Sequence, residues 1–232
     1  MKGDNRNWGA RTIAYELQKK LGVPISRETV RKIEILYREN GDIPPEGLWK
    51  YFQVAVWQSL YACDFIYKRI KSKTYFVFFI IQLHTRKIVQ CGVTEHPNTA
   101  FLRNQLSVFS DHYPDSYLIH DNSPELKYFP YKEYHIKGIN IVPYSPNMNA
   151  YAERFVRTLR EGCLNYCNRF IFGCAHLYGI INTYLDYYNN FRIHQGIMDI
   201  PSGLPKECAK TGIIKKKSMV FGLHNHYYRQ AA

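Results

Sequence analysis

Three carboxylates stand where their chemistry demands an explanation. Asp64 lies inside the apolar stretch YACDFI, Asp121 ends the apolar stretch YLIHD, and Glu153 stands near the start of a helical pattern, NAYAERFVRTLR. A carboxylate in an apolar strand is costly unless a cation or hydrogen bonds compensate it. Strand alternation sets Asp64 on the face opposite Cys63 and Phe65, and separates Asp121 from His120 in the same way. The two aspartates can therefore meet across adjacent strands of one sheet. Two aspartates and a glutamate brought together repel one another unless a divalent ion sits among them, and an all-oxygen donor set suits Mg2+ or Mn2+. Such a site suits phosphoryl chemistry, in which paired metals clamp the scissile phosphate. Taken singly, each acid reads equally as a surface or capping residue. Glu153 has a further alternative, as a salt-bridge partner for Arg154, Arg157 and Arg160.

Lys and Arg outnumber Asp and Glu by 31 to 19, so a polyanionic partner is expected, nucleic acid first and a membrane surface second. The apolar fraction of 46%, with 20 Tyr and 13 Phe, is that of a folded globular chain. The longest apolar run, YFVFFII at 75–81, falls far short of the roughly 18 residues that suggest a membrane span. Six scattered cysteines without a CxxC pair read as reduced thiols of a cytoplasmic protein. Cys163, Cys167, Cys174 and His176 form one cluster that invites a metal assignment, but their spacing follows no zinc pattern.

These acids need a scaffold. WGARTIAYELQKKLG carries Ile13, Leu17 and Leu21 at helical spacing, and Ser26 can cap a second helix whose Val30, Ile33 and Tyr37 face inward. Arg27, Arg31 and Lys32 remain outside, which is the outline of a helix-turn-helix or of an ordinary helical hairpin with a solvated basic face. GDIPPEGL then breaks the pattern. From residue 51, SLYACDFIYKRI, TYFVFFIIQLHT and KIVQCGVTEH read as an antiparallel meander. NTAFLRNQLSVFSDHY reads as a helix, YLIHD as a buried strand, LKYFPYKEYHIKG as a broken helix ended by Gly138, and INIVPY as another strand. Two helical patterns follow, around Tyr151, Phe155 and Leu159 and around Leu177, Ile181 and Leu185. The expectation is an α/β chain with a mixed sheet covered by helices. Its segments are a helix-turn-helix over 1–42, a linker over 43–50, a core over 51–205 and a basic tail over 206–232.

CDFI at 63–66, GVTEHPNTAF at 92–101, HDN at 120–122, SPNMNAYAERFVRTLREGCLN at 145–165 and YNNFRIHQGIMDIP at 188–201 together resemble the integrase-core transposases of bacterial insertion sequences. Retroviral integrases are more distant relatives. The resemblance covers roughly residues 50–201, and WGARTIAYELQKKLGVPISRETV is similar to the helix-turn-helix that often precedes this core. It implies a ribonuclease-H-like fold with a mixed five-stranded sheet and a DDE triad of Asp64, Asp121 and Glu153. It also implies two bound Mg2+ or Mn2+ ions and no organic cofactor. Arg157 and Arg160, four and seven positions after Glu153, share much of its helical face and would grip flanking phosphates. Arg154 is turned about 100° away and reads as a salt-bridge or peripheral DNA contact. In the YNNFRIH segment most residues read as structural, with Arg192 the DNA contact among them.

The activity implied is cleavage at the ends of a mobile element and their transfer to target DNA. The partners are double-stranded DNA at element ends and target and, because transfer joins two ends, further copies of the same chain. No membrane is involved. One departure bears on the site: many relatives have Asn-Gly or Arg-Asp after the second acid, whereas this chain has Asn122, Ser123, Pro124 and Glu125. A second reading is therefore a truncated or inactive remnant that binds DNA through its basic surface. A third is a nuclease that cuts without joining.

Overall fold

The computed structural model describes residues 9–21, 25–39, 57–141, 149–167, 171–203 and 211–230. The chain divides into two compact units, Met1–Ala55 and Val56–Ala232. In the first, α1 (Ala10–Leu21) and α2 (Arg27–Glu39) pack through Ile13, Ala14 and Val30, with Ala10 and Ile25 against them. Ser26 caps α2, its hydroxyl accepting the Thr29 N–H at 3.1 Å and its carbonyl the Val30 N–H. Arg27, Arg31 and Lys32 are exposed. Ile33, expected to face inward, is 42% exposed; among the described residues Val30 is what α2 contributes to this small core. The side chains of Leu17, Leu21 and Tyr37 and the linker over 43–50 lie outside the described residues.

The second unit is built on a mixed five-stranded sheet flanked by helices, the ribonuclease-H-like arrangement. Strands β1 (Leu60–Ile70), β2 (Lys73–Gln82) and β3 (Ile88–Thr94) form the antiparallel meander. After α3 (Thr99–His112), β4 (Tyr117–His120) returns parallel to β1, and β5 (Lys137–Asn140) adds parallel to β4. The order is β3-β2-β1-β4-β5. A crossover helix between parallel strands is what parallel pairing requires.

Alternation along the strands makes two cores. Tyr61, Cys63, Phe78, Ile80 and Leu118 form one with Leu102, Leu106 and Phe109 of α3. On the other face Phe79 meets Phe155 of α5 (Ala150–Gly162), which in turn meets Tyr188 of α6 (Cys174–Asn190). Because this sheet is buried on both faces, β2 reads as a continuous apolar run.

Two expectations are corrected. The broken helix does not run to Gly138: a short α4 (Pro124–Lys127) and a 3-10 turn at Tyr131–Tyr134 come first, and His135 at φ 51° ends the turn. Gly138 lies inside β5, where a Cβ would stand 2.5 Å from the Tyr131 ring, so only glycine lets that ring cover the strand. The basic tail folds, over residues 213–230, as a hairpin of β6 (Ile213–Met219) and β7 (His224–Gln230). His224 stacks on Tyr187 and bonds the Gly162 carbonyl through Nε2 at 2.8 Å, while His226 meets Phe191 edge-on.

Candidate active site

The parallel register pairs Leu60 with Tyr117 and Ala62 with Ile119, and the same offset carried further along sets Asp64 level with Asp121. Their alternation places both on the face covered by α5. Asp64 pairs across β2 with Phe79, and Phe79 carries the Phe155 ring at 4.6 Å. The apolar contact that seats α5 thus lies beside Asp64 and brings Glu153, in the first turn of α5, to the same side.

The electrostatics report that convergence. Burial pushes the Asp64 carboxyl upward; the Phe65 backbone N–H, donating to Oδ1 at 2.7 Å, opposes this. The charges of Asp121 and Glu153 raise it further and Arg160 lowers it, leaving it at about 6 against an ordinary 3.8. A nearby cation is what would return it to the ordinary range, and three carboxylates supply an all-oxygen donor set that fits Mg2+ or Mn2+. Among the described residues no three His, Cys, Asp or Glu side chains stand close enough to enclose one ion.

Asp121 is held by a residue that residue types alone did not single out. Its Oδ1 accepts both the Ser123 N–H at 3.1 Å and the Ser123 hydroxyl at 2.7 Å, and Asn122 donates to the Ile141 carbonyl at 2.9 Å. The unusual Asn122-Ser123-Pro124-Glu125 loop is therefore a turn that orients the carboxylate, with Pro124 opening α4. The Asp-x-Ser spacing was the available signal.

Behind the acids the sheet is neutral. His120 is buried, bonds the Asp121 carbonyl through Nδ1 at 2.8 Å and stacks on Tyr131. Burial lowers its pKa and lifts the Cys63 thiol well above its usual range.

The basic residues separate into groups. Arg157 and Arg160 are exposed on α5 with Glu153, and the Arg160 guanidinium lies 5.6 Å over the Tyr67 ring. Arg192 follows α6 and lies 5.6 Å over Tyr188. Arg154 forms no salt bridge among the described residues; it lines a cavity on another side of α5, together with Arg86 and Arg192. Arg27, Arg31 and Lys32 belong to the first unit. Cys167 donates to the Cys163 carbonyl, and His176 accepts the Phe172 N–H, so these side chains are engaged locally.

Residues 134–201 match the family model described as integrase core domain. No curated protein matches the sequence. In fold, the chain is similar to a chain of the simian T-cell lymphotropic virus intasome solved with PP2A regulatory subunit B56 gamma. The TM-score is 0.53 at 15% identity, over 74% of this chain and 66% of that one. It thus spans just under two thirds of that relative. It is also similar to the HTLV-2 integrase catalytic core domain in complex with magnesium, in its trimeric form, with a TM-score of 0.50 at 14% identity, over 62% and 94% of the two chains. The domain match over residues 134–201 and the ribonuclease-H-like fold are what the chain shares with integrase cores.

Proposed function

We propose that the chain is a metal-dependent DNA transposase or integrase, a polynucleotidyl transferase that cleaves element ends and joins them to target DNA. The observation that carries this reading is the β1–β4 register, which sets Asp64 level with Asp121 on the sheet face covered by the helix that carries Glu153. Asp64, Asp121 and Glu153 would hold Mg2+ or Mn2+, two ions, as the HTLV-2 core is described with magnesium. Bound divalent ions supply activation of the attacking oxygen and neutralisation of the leaving one.

The chain's own residues prepare that site. Phe65 fixes Asp64 through its backbone N–H, Ser123 fixes Asp121 by two hydrogen bonds, and Phe155 seats the helix that carries Glu153. Arg157 and Arg160 grip phosphates near the reacting strand and Arg192 contacts DNA away from the acids, while Arg27, Arg31 and Lys32 on a helix-turn-helix hold the duplex. Transfer needs two DNA ends, so the acting form is a homo-oligomer on DNA, in the cytoplasm. No organic cofactor takes part, and among the described residues no helix is long and apolar enough to cross a membrane.

A second reading, a DNA-binding protein without catalysis, is favoured by the fact that the described acids do not close around a single ion. Nicking of supercoiled plasmid in Mg2+ or Mn2+ separates the two, because it requires no knowledge of the element's ends. Metal-dependent nicking by the unmodified chain, lost in both Asp121→Asn and Glu153→Gln, is the expected result. Salt-sensitive DNA binding with no nicking in either metal would leave the second reading.

A further inference from the structure

Three guanidinium groups from three separate elements converge on one cavity of about 320 Å³. Arg86 comes from the β2–β3 turn, Arg154 from α5 and Arg192 from the segment after α6, and His194, Tyr188 and Thr158 complete the polar lining. Among the described residues no carboxylate lines it. Arg86 stands 3.6 Å over the Tyr151 ring and 5.7 Å from Trp57, and donates through Nη1 to the Leu83 carbonyl. Its backbone adopts φ 66°, in the left-handed region that a side chain like arginine rarely occupies. Arg192 lies over Tyr188, and all three charges act on the buried Tyr188 hydroxyl.

Arginines gathered this way repel one another, and ring faces offset only on the order of 0.5–1 kcal/mol each at partly exposed sites. A surface with many acids would pair them. Here Arg86 is held by aromatic faces and a left-handed turn and Arg192 by the Tyr188 face, and apart from the Arg86 bond to the Leu83 carbonyl no hydrogen bond or ion pair engages the three guanidinium groups among the described residues. Guanidinium forks match the tetrahedral oxygens of a phosphate, and several can address one group from different sides. The volume is near the lower end of small-ligand sites, roughly 300–1,000 Å³, which suits one or two phosphate groups.

We propose that this cavity is an anion site that binds a phosphate-bearing ligand through Arg86, Arg154 and Arg192, separately from the three acids on the other side of α5. Two sources share this chemistry, a phosphodiester of DNA passing α5 and a free phosphate or pyrophosphate. The site goes beyond the catalytic reading and stands even if the acids hold no metal.

The test is calorimetric titration of the full chain with pyrophosphate in EDTA, where metal-mediated binding at the acids is excluded. Saturable one-to-one binding is expected, weakened at least tenfold in Arg86→Gln and Arg154→Gln and unchanged in Glu153→Gln. Arg154→Lys keeps the charge without the fork and should give an intermediate loss; it decides the matter if a glutamine variant loses its helical circular dichroism. Repeating the titration with saturating duplex DNA distinguishes the sources: competition assigns the cavity to the DNA backbone, and undiminished binding assigns it to the free anion. Absence of saturable binding, or equal affinity in wild type and the arginine variants, overturns the proposal. Loss of nicking in Glu153→Gln with pyrophosphate binding intact would keep the two sites apart.

Discussion

Two sides of helix α5 carry opposite chemistry. One presents Glu153 toward Asp64 and Asp121, with Arg157 and Arg160 following on the same side; the other presents Tyr151, Arg154 and Thr158 to a cavity lined, among the described residues, by three guanidinium groups and no acid. A third sector, Ala152, Phe155 and Leu159, is buried. At 100° per residue, neighbours such as Glu153 and Arg154 necessarily look in different directions. One short helix can therefore serve a site that wants cations and a site that wants anions without the two neutralising each other.

The largest expected effect breaks the acidic side alone. Glu153→Gln should lower metal-dependent plasmid nicking at least about 10³-fold, about 4 kcal/mol of barrier, while the far-UV spectrum stays native. Retention of activity within tenfold would remove Glu153 from the site. Phe155→Ala should break both sides together, since its ring touches Phe79 and Tyr188; a loss of about 3–5 kcal/mol is expected by urea denaturation.

Asp64→Asn sharpens the electrostatic half of the comparison. The folded protein holds this carboxyl at about 6 against 3.8, so below about pH 4 it is protonated in both states and nothing is lost. As the pH rises through 6, ionisation costs the folded state stability, at most about 3 kcal/mol. The variant should therefore be more stable than the wild type at pH 7.5, with the gap closing toward pH 4, and added Mg2+ should stabilise only the wild type. A gap that does not vary with pH would mean that the folded protein does not raise this carboxyl.

Smaller effects follow. Ser123→Ala removes the hydroxyl that donates to Asp121, and should reduce nicking several-fold with about 1 kcal/mol of stability lost. Arg157→Gln should weaken duplex binding almost equally across sequences and reduce the slope of log affinity against log salt by about 1. An unchanged slope would place Arg157 off the DNA path.

The strands around the acids were legible because β-branched and aromatic runs with short polar breaks have few other ways to fold. Asp64 and Asp121 were legible as the polar exceptions in those runs. Gly138 was misread because a glycine that ends a helix and one that admits a ring over a strand look alike in one dimension. The final hairpin was not read from the sequence because β6, IIKKKSM, has no apolar alternation; its contacts are His224 and His226 meeting aromatic rings of α6 and the residue after it. Ser123 was seen as a departure and proved to be a hydrogen-bonding partner of Asp121.

What the sequence by itself determined was local: which residues form strands and helices, which acids are exceptional, and that Arg157 and Arg160 share a side with Glu153. Periodicity contains that information because helix and strand repeats are set by the backbone. Only the tertiary structure decided that Asp64 lies level with Asp121, and that Arg86, Arg154 and Arg192 surround one cavity. Those arginines come from a turn, a helix and a helix end far apart in the chain. Their meeting depends on how α5 and α6 pack on the sheet, which no local pattern records.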